Sequence, residues 1–341
     1  MISRAQLIRG VLVGAAAPSL AFASDGGMSG YRAQSGASEA RPWTAPPAPD
    51  AAPLRFVVIG DRTGVARPGV FDAAMRQISW LRPDFVLGVG DLIEGYLENR
   101  AEIDRQWSAV EAEIANLGCP FVFTQGNHDV ANAETLDAWR ARRGPGYYSF
   151  VYKGALFVIL NSEDTPKPMT SAQQAKFYDL VHEMRTDPDA TDRELLAHIA
   201  ARPDSHRDAG GFSGAVELSD RQLGWLRRTL ARNPRPLWTF VVIHKPAWKS
   251  GSPSFAQVQA LLRDRPYTVF AGHTHYFTHE LVDGHDYINM GTTGGVRTHD
   301  GPGTMDHVMT VELTAGGPVY ANTRLNGLMN VAGVSGQVRA Y

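Results

Sequence analysis

Short apolar runs and helical patterns alternate along the first half of the chain. Residues 54–59 read LRFVVI and residues 85–89 read FVLGV, and each run is followed by glycine and aspartate. Between these runs, Phe71, Met75 and Ile78 recur at helical spacing. Short apolar runs bounded by glycine predict buried strands. Strands that alternate with helices predict an α/β fold, in which helices cover a sheet.

The second half of the chain departs from this alternation. Residues 147–152 (YYSFVY) and 155–161 (ALFVILN) predict two consecutive strands. The segment 164–217 then contains two amphipathic patterns separated by polar breaks, which predicts a mostly helical insert. Most inserts of this kind elaborate the surface, and a lid over a site is the alternative. Residues 237–244 (LWTFVVIH) and 267–275 (YTVFAGHTH) resume the strand pattern.

The N-terminal residues have the pattern of a secretory signal peptide. The only charged residues within positions 1–23 are Arg4 and Arg9, and the apolar stretch at 10–23 ends in Ala-Phe-Ala. This stretch is shorter than the ~20 residues that span a bilayer. Cleavage after Ala23 and export to the periplasm or the extracellular space are therefore predicted. No adjacent arginine pair supports a twin-arginine route.

The rest of the chain divides into three predicted parts. Residues 24–53 are rich in Gly, Ser, Ala and Pro, which is typical of a flexible linker. Residues 54–325 form the predicted domain, with the insert at 164–217, and residues 326–341 form a C-terminal tail. Since no second apolar run of membrane length follows the signal peptide, no transmembrane segment is expected after its cleavage.

The net charge and the cysteine content argue against two properties, namely nonspecific binding to polyanions and stabilisation by an intramolecular disulfide. The formal net charge is −2, and removal of residues 1–23, which hold two arginines and no acid, makes it −4. A mildly acidic protein is poorly suited to nonspecific binding of nucleic acid or of anionic membranes. Cys119 is the only cysteine, so an intramolecular disulfide is impossible, and the core or bound metal must stabilise the fold.

Polar residues capable of metal binding or proton transfer follow five of the predicted strands. They are Asp61, Asp91, Asn127 with His128, His244, and His273 with His275. Each alone suits a turn or a strand end, but the carboxyl ends of strands in α/β sheets converge on one crevice. Carboxylate, amide and imidazole ligands without thiolate favour Mn, Fe or Zn. Two such ions, bridged by a carboxylate and a hydroxide, suit an in-line displacement at phosphorus.

The ordered blocks GDRTG, GDLIEG, GNHD, VVIH and GHTH resemble the calcineurin-like metallophosphoesterase superfamily, which includes purple acid phosphatases and phosphodiesterases. The resemblance covers residues 54 to about 315. It implies a four-layer αββα sandwich of two mixed sheets flanked by helices. It also implies hydrolysis of a phosphate monoester or diester by a dinuclear metal centre with a bridging hydroxide. The substrate within that class is not specified.

The resemblance assigns a role to each residue of these blocks. Asp91 would bridge both metals; Asn127, His244 and His273 would complete one metal site, and Asp61 and His275 would belong to the other. His128 would lie beside the leaving-group oxygen as general acid or transition-state stabiliser, and Asp129 would orient it.

The first block departs from the family pattern. Most members carry Asp-x-His there, and in this chain Thr63 occupies the histidine position. Purple acid phosphatases, which also lack that histidine, supply a tyrosine three residues after the bridging aspartate, where this chain has Glu94. We therefore predict that Glu94 supplies the missing ligand, and a solvated loop acid is the alternative. An oxygen-rich site favours Mn or Fe over Zn, with Mg or Ca also compatible.

Two arginines are candidates for contact with the substrate phosphate. Arg62 follows Asp61 in the same turn, and Arg297 follows the glycine-rich stretch GTTGGV. Guanidinium groups bind phosphate oxygens well, but surface ion pairs are the commoner use of arginine, so both interpretations stay open.

Two other functions compete with metal-dependent hydrolysis. Asp61-Arg62-Thr63-Gly64 resembles the turn of haloacid-dehalogenase-type enzymes, in which the aspartate is phosphorylated. That hypothesis leaves GNHD and GHTH without a role. The other is a non-catalytic periplasmic protein that binds metal or another ligand on the same fold, and the missing motif histidine supports it.

Overall fold

The computed structural model describes residues 42–45, 52–164, 166–201, 216–299 and 301–325. The predicted signal peptide and the C-terminal tail lie outside the described residues. Among the described helices, none combines the length and apolar character required to cross a membrane.

Seven α-helices and eleven strands make up the described part of the chain. The helices are α1 Val70–Leu81, α2 Arg100–Ile114, α3 Ala133–Arg143, α4 Ser171–Thr186, α5 Pro188–Ala200, α6 Asp220–Arg232 and α7 Pro253–Leu262. The strands are β1 Arg55–Ile59, β2 Phe85–Gly88, β3 Phe121–Val122, β4 Tyr148–Tyr152, β5 Ala155–Ile159, β6 Trp238–Val242, β7 Tyr267–Ala271, β8 Thr278–Val282, β9 His285–Asn289, β10 His307–Thr314 and β11 Gly317–Arg324.

The strands form two mixed sheets. The first has the order β11-β10-β1-β2-β3, with β1 parallel to β2 and antiparallel to β10. The second has the order β4-β5-β6-β7-β9-β8, in which β5, β6, β7 and β9 run parallel and the edge strands β4 and β8 run antiparallel. In both sheets the parallel strands carry their carboxyl ends to one side, where a site can form.

The two sheets pack face to face through a cluster of aromatic rings. Phe56 of β1 lies with its ring centroid 5.3 Å from that of Phe157 on β5 and 5.0 Å from that of Phe240 on β6. A second apolar cluster joins the outer face of the first sheet to α1, α2 and α3, and a third joins the second sheet to α6 and α7. Each sheet is therefore buried on both faces, and the predicted four-layer αββα architecture is confirmed.

The predicted flexible linker at 24–53 is wrong for residues 42–45, which pair with the first sheet. Trp43 pairs with Val122 as an antiparallel bridge, and Thr44 donates its backbone N–H to the Phe121 carbonyl at 3.0 Å. The Trp43 side chain is 9% exposed and its ring lies 5.8 Å from that of Tyr148. This short segment therefore extends the first sheet beyond its edge strand β3. The pairing satisfies backbone groups of β3 that an edge strand would otherwise leave unpaired.

The insert contributes α4 and α5, which pack against the loop that follows β1. Thr170 and Gln173 form a capping box that starts α4, and two of its residues, Val181 and Met184, are buried. They form a small apolar cluster with Val65, which lies just beyond the carboxyl end of β1. The insert therefore borders the side of the domain where the parallel strands end.

Candidate metal centre

The residues predicted to bind metal meet where five strands end, across both sheets. Asp61, Asp91 and Asn127 follow β1, β2 and β3, whereas His244 and the pair at 273–275 follow β6 and β7. Backbone hydrogen bonds join these loops, since Arg62 donates to the Asp91 carbonyl at 3.1 Å and Gly272 donates to the His244 carbonyl at 2.8 Å. The parallel strands thus bring residues that are more than 200 positions apart into one cleft.

His244 is the centre of the first group of ligand-type atoms. Its Nδ1 lies 3.0 Å from the Val89 carbonyl, which fixes Nδ1 as the donor and turns Nε2 toward the cleft. There Nε2 lies 3.1 Å from Oδ2 of Asp91 and 3.0 Å from Oδ1 of Asn127. Ligand atoms of Asp91, His244 and His273 all lie within 4.8 Å of one another. Lone pairs facing one another at such distances require a cation between them, either a proton or a metal ion.

Asp61 and His275 form a second group beside the first. Nε2 of His275 lies 3.2 Å from Oδ2 of Asp61, while Nδ1 of His275 lies 2.5 Å from the Val296 carbonyl. Asp61 is fully buried, and its Oδ1 has no hydrogen-bond partner among the described residues. A buried carboxylate oxygen without a partner is costly, and a bound cation removes that cost. The residues present therefore fit a second metal ion.

Three of the predicted ligand residues have backbone φ angles that non-glycine residues rarely adopt. Asp91, His273 and His275 have φ values of 54°, 70° and 53°, in the left-handed region. Non-glycine residues adopt this region at a cost, and such residues cluster at functional sites.

Electrostatics in the cleft favour a positive charge among the ligands. Burial opposes the charged form of Asp91, but the neighbouring His244 and His128 outweigh it and hold the pKa of Asp91 well below its ordinary value. Burial likewise opposes protonation of His244, yet Asp91 raises the pKa of His244 to about 9. The metal-free site thus holds a proton where a metal ion would bind, so metal and proton compete for His244.

His128 is oriented by a different group from the one predicted. Its Nδ1 lies 2.8 Å from the Glu94 carbonyl, and its backbone N–H donates to Oδ1 of Asp91 at 2.9 Å. With Nδ1 as donor, Nε2 is turned toward the site, 4.0 Å from Oδ2 of Asp91, and the side chain is 12% exposed. This position suits contact with a bound substrate.

The prediction that Asp129 orients His128 is wrong, because the Asp129 carboxylate binds backbone N–H groups instead. Its Oδ2 accepts the backbone N–H of Asp91 at 2.9 Å and of Gly126 at 3.0 Å, and its Oδ1 accepts that of Leu92 at 2.9 Å. The carboxylate therefore fixes the turn that carries Asp91. The GNHD block alone did not reveal the bonds to Asp91 and Leu92, because these two residues lie in the loop after β2.

Glu94 clamps the loop after β1. Its Oε2 accepts the N–H of Val65 at 3.0 Å and its Oε1 accepts that of Ala66 at 2.8 Å. It is 3% exposed, so the alternative of a solvated loop acid is wrong. The clamp holds Gly64 at φ 83°, where an added Cβ would lie 2.8 Å from Cε1 of His275 and 3.6 Å from Nε2 of His128. Metal ligation by Glu94 stays a prediction, and Oγ1 of Thr63 is buried without a partner among the described residues.

Replacement of Glu94 tests whether this residue binds a metal ion in addition to holding the loop after β1. Glu94→Gln is expected to lower the affinity for one of two metal ions at least about tenfold, since a neutral amide is a weaker ligand than a carboxylate. Calorimetric titration of metal-stripped protein measures this, with Glu113→Gln as the control because Glu113 pairs with Arg62 instead. Two ions bound at unchanged affinity would remove Glu94 from the ligand set and leave it only the clamp.

Both predicted substrate arginines are engaged by carboxylates of the protein. Arg62 binds Oε1 of Glu113 at 3.0 Å and lies 5.1 Å from the ring centroid of Phe71. Arg297 binds Oδ2 of Asp192 on α5 at 3.1 Å. These contacts correspond to the ion-pair alternative, and a role in substrate binding stays a prediction for both.

Two features of the cleft were not foreseen from the sequence. The Tyr96 hydroxyl accepts a hydrogen bond from Nδ2 of Asn127 at 2.9 Å, and its ring lies edge-on to His128 at 4.9 Å. Burial, with the charge of Asp91, raises the pKa of Tyr96 above its ordinary value, so the phenol stays protonated. Lys245, which directly follows His244, forms a buried ion pair at 2.6 Å with Glu163, which lies after β5. Neither Tyr96 nor the Lys245–Glu163 pair belongs to one of the five sequence motifs.

Comparison with known families agrees with this geometry. The model of the family described as calcineurin-like phosphoesterase matches residues 54–277. The serine/threonine-protein phosphatase CPPED1 of Homo sapiens and that of Pongo abelii are each 33% identical over 106 residues, which is 28% of this chain and 32% of each relative. The match thus spans about a third of the length of these relatives.

Solved structures share the fold at low identity. A dimetal phosphatase from Danio rerio superposes with a TM-score of 0.55 and 17% identity over 80% of this chain and 97% of that chain. GAP50, described as the anchor in the inner membrane complex of Plasmodium, superposes with a TM-score of 0.51 and 15% identity over 80% of this chain and 84% of that chain. These similarities establish the architecture of the chain and leave its chemistry to its own residues.

Proposed function

Since the chain belongs to the calcineurin-like phosphoesterase family, we propose that it hydrolyses phosphate monoesters or diesters at a dinuclear metal centre. The observation that carries this proposal is the convergence of ligand-type atoms in the cleft. Nε2 of His244 faces the oxygens of Asp91 and Asn127 at about 3 Å, beside the unpartnered Oδ1 of Asp61. A cleft built to hold cations suits a substrate whose oxygens are negatively charged.

The residues divide between two ion positions. Asp91, Asn127, His244 and His273 would hold one ion, and Asp61, His275 and the shared Asp91 the other. When bound, two such ions supply a hydroxide nucleophile at neutral pH and neutralise charge on the phosphate oxygens. With Glu94 as the predicted further ligand, the second position is oxygen-rich and favours Mn or Fe, with Zn, Mg or Ca as alternatives.

The chain's own groups provide orientation and proton control. The Val89 and Val296 carbonyls hold His244 and His275 with Nε2 turned toward the cleft. The Glu94 carbonyl does the same for His128, whose Nε2 is positioned to donate a proton or a hydrogen bond to the leaving-group oxygen.

The competing functions receive less support from these contacts. GAP50 is described as an anchor, so this architecture also occurs in a protein with a non-catalytic description. A purely binding role would not require Nε2 of His128 to face the ligand cluster. Phosphorylation of Asp61 is disfavoured because it would leave without a role the GNHD and GHTH side chains that converge in the same cleft, such as Asn127 beside His244 and His275 beside Asp61.

We also propose that the protein is exported, on the basis of the charge and apolar pattern of residues 1–23. The N-terminal sequence of protein recovered outside the cytoplasm is expected to begin at Ser24. An intact N-terminus in that fraction would contradict cleavage at this site.

Hydrolysis of 4-nitrophenyl phosphate and of bis(4-nitrophenyl) phosphate tests the proposed activity. The purified protein is first stripped of metal and then supplied with Mn, Fe, Zn, Mg or Ca in turn. Metal-dependent release of nitrophenol from either ester is expected, and the faster ester assigns monoesterase or diesterase character. Tight metal binding without turnover of either ester, or of a wider ester panel, would favour the binding protein instead.

A further inference from the structure

Helix α4 of the insert is attached directly to the loop that carries Tyr96. The Gln174 amide donates to the Tyr96 carbonyl, and the Tyr178 hydroxyl donates to the Gly95 carbonyl at 2.7 Å. Val181 on the same helix is 3% exposed and belongs to the apolar cluster that includes Val65. The helix is therefore held against both the Gly95–Tyr96 loop and the loop after β1, at the rim of the proposed metal centre.

Phe177 is the residue that α4 presents to the catalytic histidine. Its ring centroid lies 5.5 Å from that of His128 and 6.1 Å from that of Tyr96. Tyr96 and His128 are themselves edge-on at 4.9 Å, so the three rings are in mutual contact. All three side chains stay partly exposed. A fully packed core position would cover such a ring, whereas a partly exposed aromatic group leaves a face for a ligand.

The position of these rings determines what they would contact. In the proposed reaction, His128 faces the leaving-group oxygen, so the organic part attached to that oxygen must lie on the same side of the cleft as the three rings. Aromatic side chains bind planar groups by offset stacking or edge-to-face contact, beyond the simple burial of area. They offer less to a small aliphatic alcohol, which lacks an extended face.

We propose that Phe177 is a specificity residue that contacts the leaving group, and that the preferred substrates are phosphate esters of an aromatic or other planar hydroxyl compound. This inference rests on the proposed function and makes the α4 insert one wall of the substrate site. The surface insert expected from sequence alone thus has a defined part in substrate choice.

Paired esters that differ only in the leaving group test this proposal. Phenyl and methyl esters are compared, as monoesters or diesters according to the type that the protein hydrolyses. Phe177→Ala is expected to lower kcat/KM for the phenyl ester about three- to tenfold relative to the methyl ester, the range that an aromatic contact supplies. Phe177→Leu keeps most of the apolar volume but lacks an aromatic face, so the same loss of preference for the phenyl ester is expected. This variant provides the test if folding of the alanine variant is impaired.

Leu180→Ala is the matched control. Leu180 lies on the same helix and packs against the same apolar cluster, so its truncation perturbs α4 without removing the ring beside His128. Its phenyl-to-methyl ratio is expected to equal that of the unmodified protein. An equal change in the ratio for Leu180→Ala, or equal losses for both esters in Phe177→Ala and Phe177→Leu, would overturn the proposal.

A binding measurement separates this proposal from the activity itself. Calorimetry of the metal-loaded protein compares phenylphosphonate with methylphosphonate, and tighter binding of phenylphosphonate that Phe177→Leu removes is expected. If no ester is hydrolysed, the proposed activity fails, yet this preference still tests the aromatic contact. Equal affinity of the two phosphonates for the unmodified protein would overturn the role of Phe177.

Discussion

Asp91→Asn is expected to reduce phosphoester hydrolysis by about a thousandfold or more, because the carboxylate proposed to bridge the two ions is lost and metal ions contribute several kcal/mol to such reactions. Asparagine nearly preserves the shape of the side chain but removes its charge and one of its two ligand oxygens. In this structure Oδ2 faces Nε2 of His244, while Oδ1 accepts the backbone N–H of His128. The substitution therefore affects both predicted ion positions and the histidine beside the leaving group.

Metal content and kcat measured on the same sample decide this prediction. The control is Asp84→Asn, since Asp84 lies at the opposite end of β2 and binds Lys153 at 2.9 Å. That variant is expected to lose some stability and to keep metal and activity. Asp91→Asn protein that keeps two ions per chain and a normal kcat would show that Asp91 does not bridge them.

His128→Gln is expected to lower kcat about 100- to 10,000-fold, the range for loss of a positioned general acid, while metal affinity is retained. Nε2 of His128 lies 4.0 Å from Oδ2 of Asp91, and His128 is not a member of the group formed by Asp91, His244 and His273. Its loss should therefore spare the ligands. Esters with poor leaving groups need protonation most, so they are expected to lose the most activity.

The dependence of rate on leaving-group pKa distinguishes acid catalysis from a structural effect. The control is His279→Gln, because His279 is 45% exposed, lies on the edge strand β8 and binds Oδ1 of Asp286 at 2.7 Å. Equal rate losses for good and poor leaving groups would argue against a general acid. Loss of bound metal in His128→Gln would instead place this residue among the ligands.

The sequence predicted the α/β class of this fold because strands that are buried on both faces leave a strong local pattern. β1, β2, β6 and β7 are short apolar runs that end at glycine, aspartate or histidine, and their carboxyl ends define the cleft. The positions of Asp61, Asp91 and His244 were therefore predictable from the strands alone. The division into two mixed sheets flanked by helices came from family resemblance, since apolar runs do not identify their neighbours.

The remaining contacts depend on pairings between distant segments, for which the sequence has no local pattern. Trp43 lies in a stretch rich in proline and alanine, yet a bridge to Val122 buries it. The carboxylates of Glu94 and Asp129 bind backbone N–H groups of other loops, and composition does not specify such partners. Phe177 is an ordinary apolar position of an amphipathic helix until the docking of α4 places it beside His128.

Reconstitution of metal-stripped protein shows whether hydrolysis requires two bound metal ions. Bound metal per chain and the rate of nitrophenyl ester hydrolysis are measured on the same samples as Mn or Fe is added. We expect no activity without metal and a rate that reaches its maximum only as occupancy approaches two ions per chain, with Asp91→Asn inactive throughout. Full activity in the stripped protein, or a maximum at one ion per chain, would contradict a dinuclear centre.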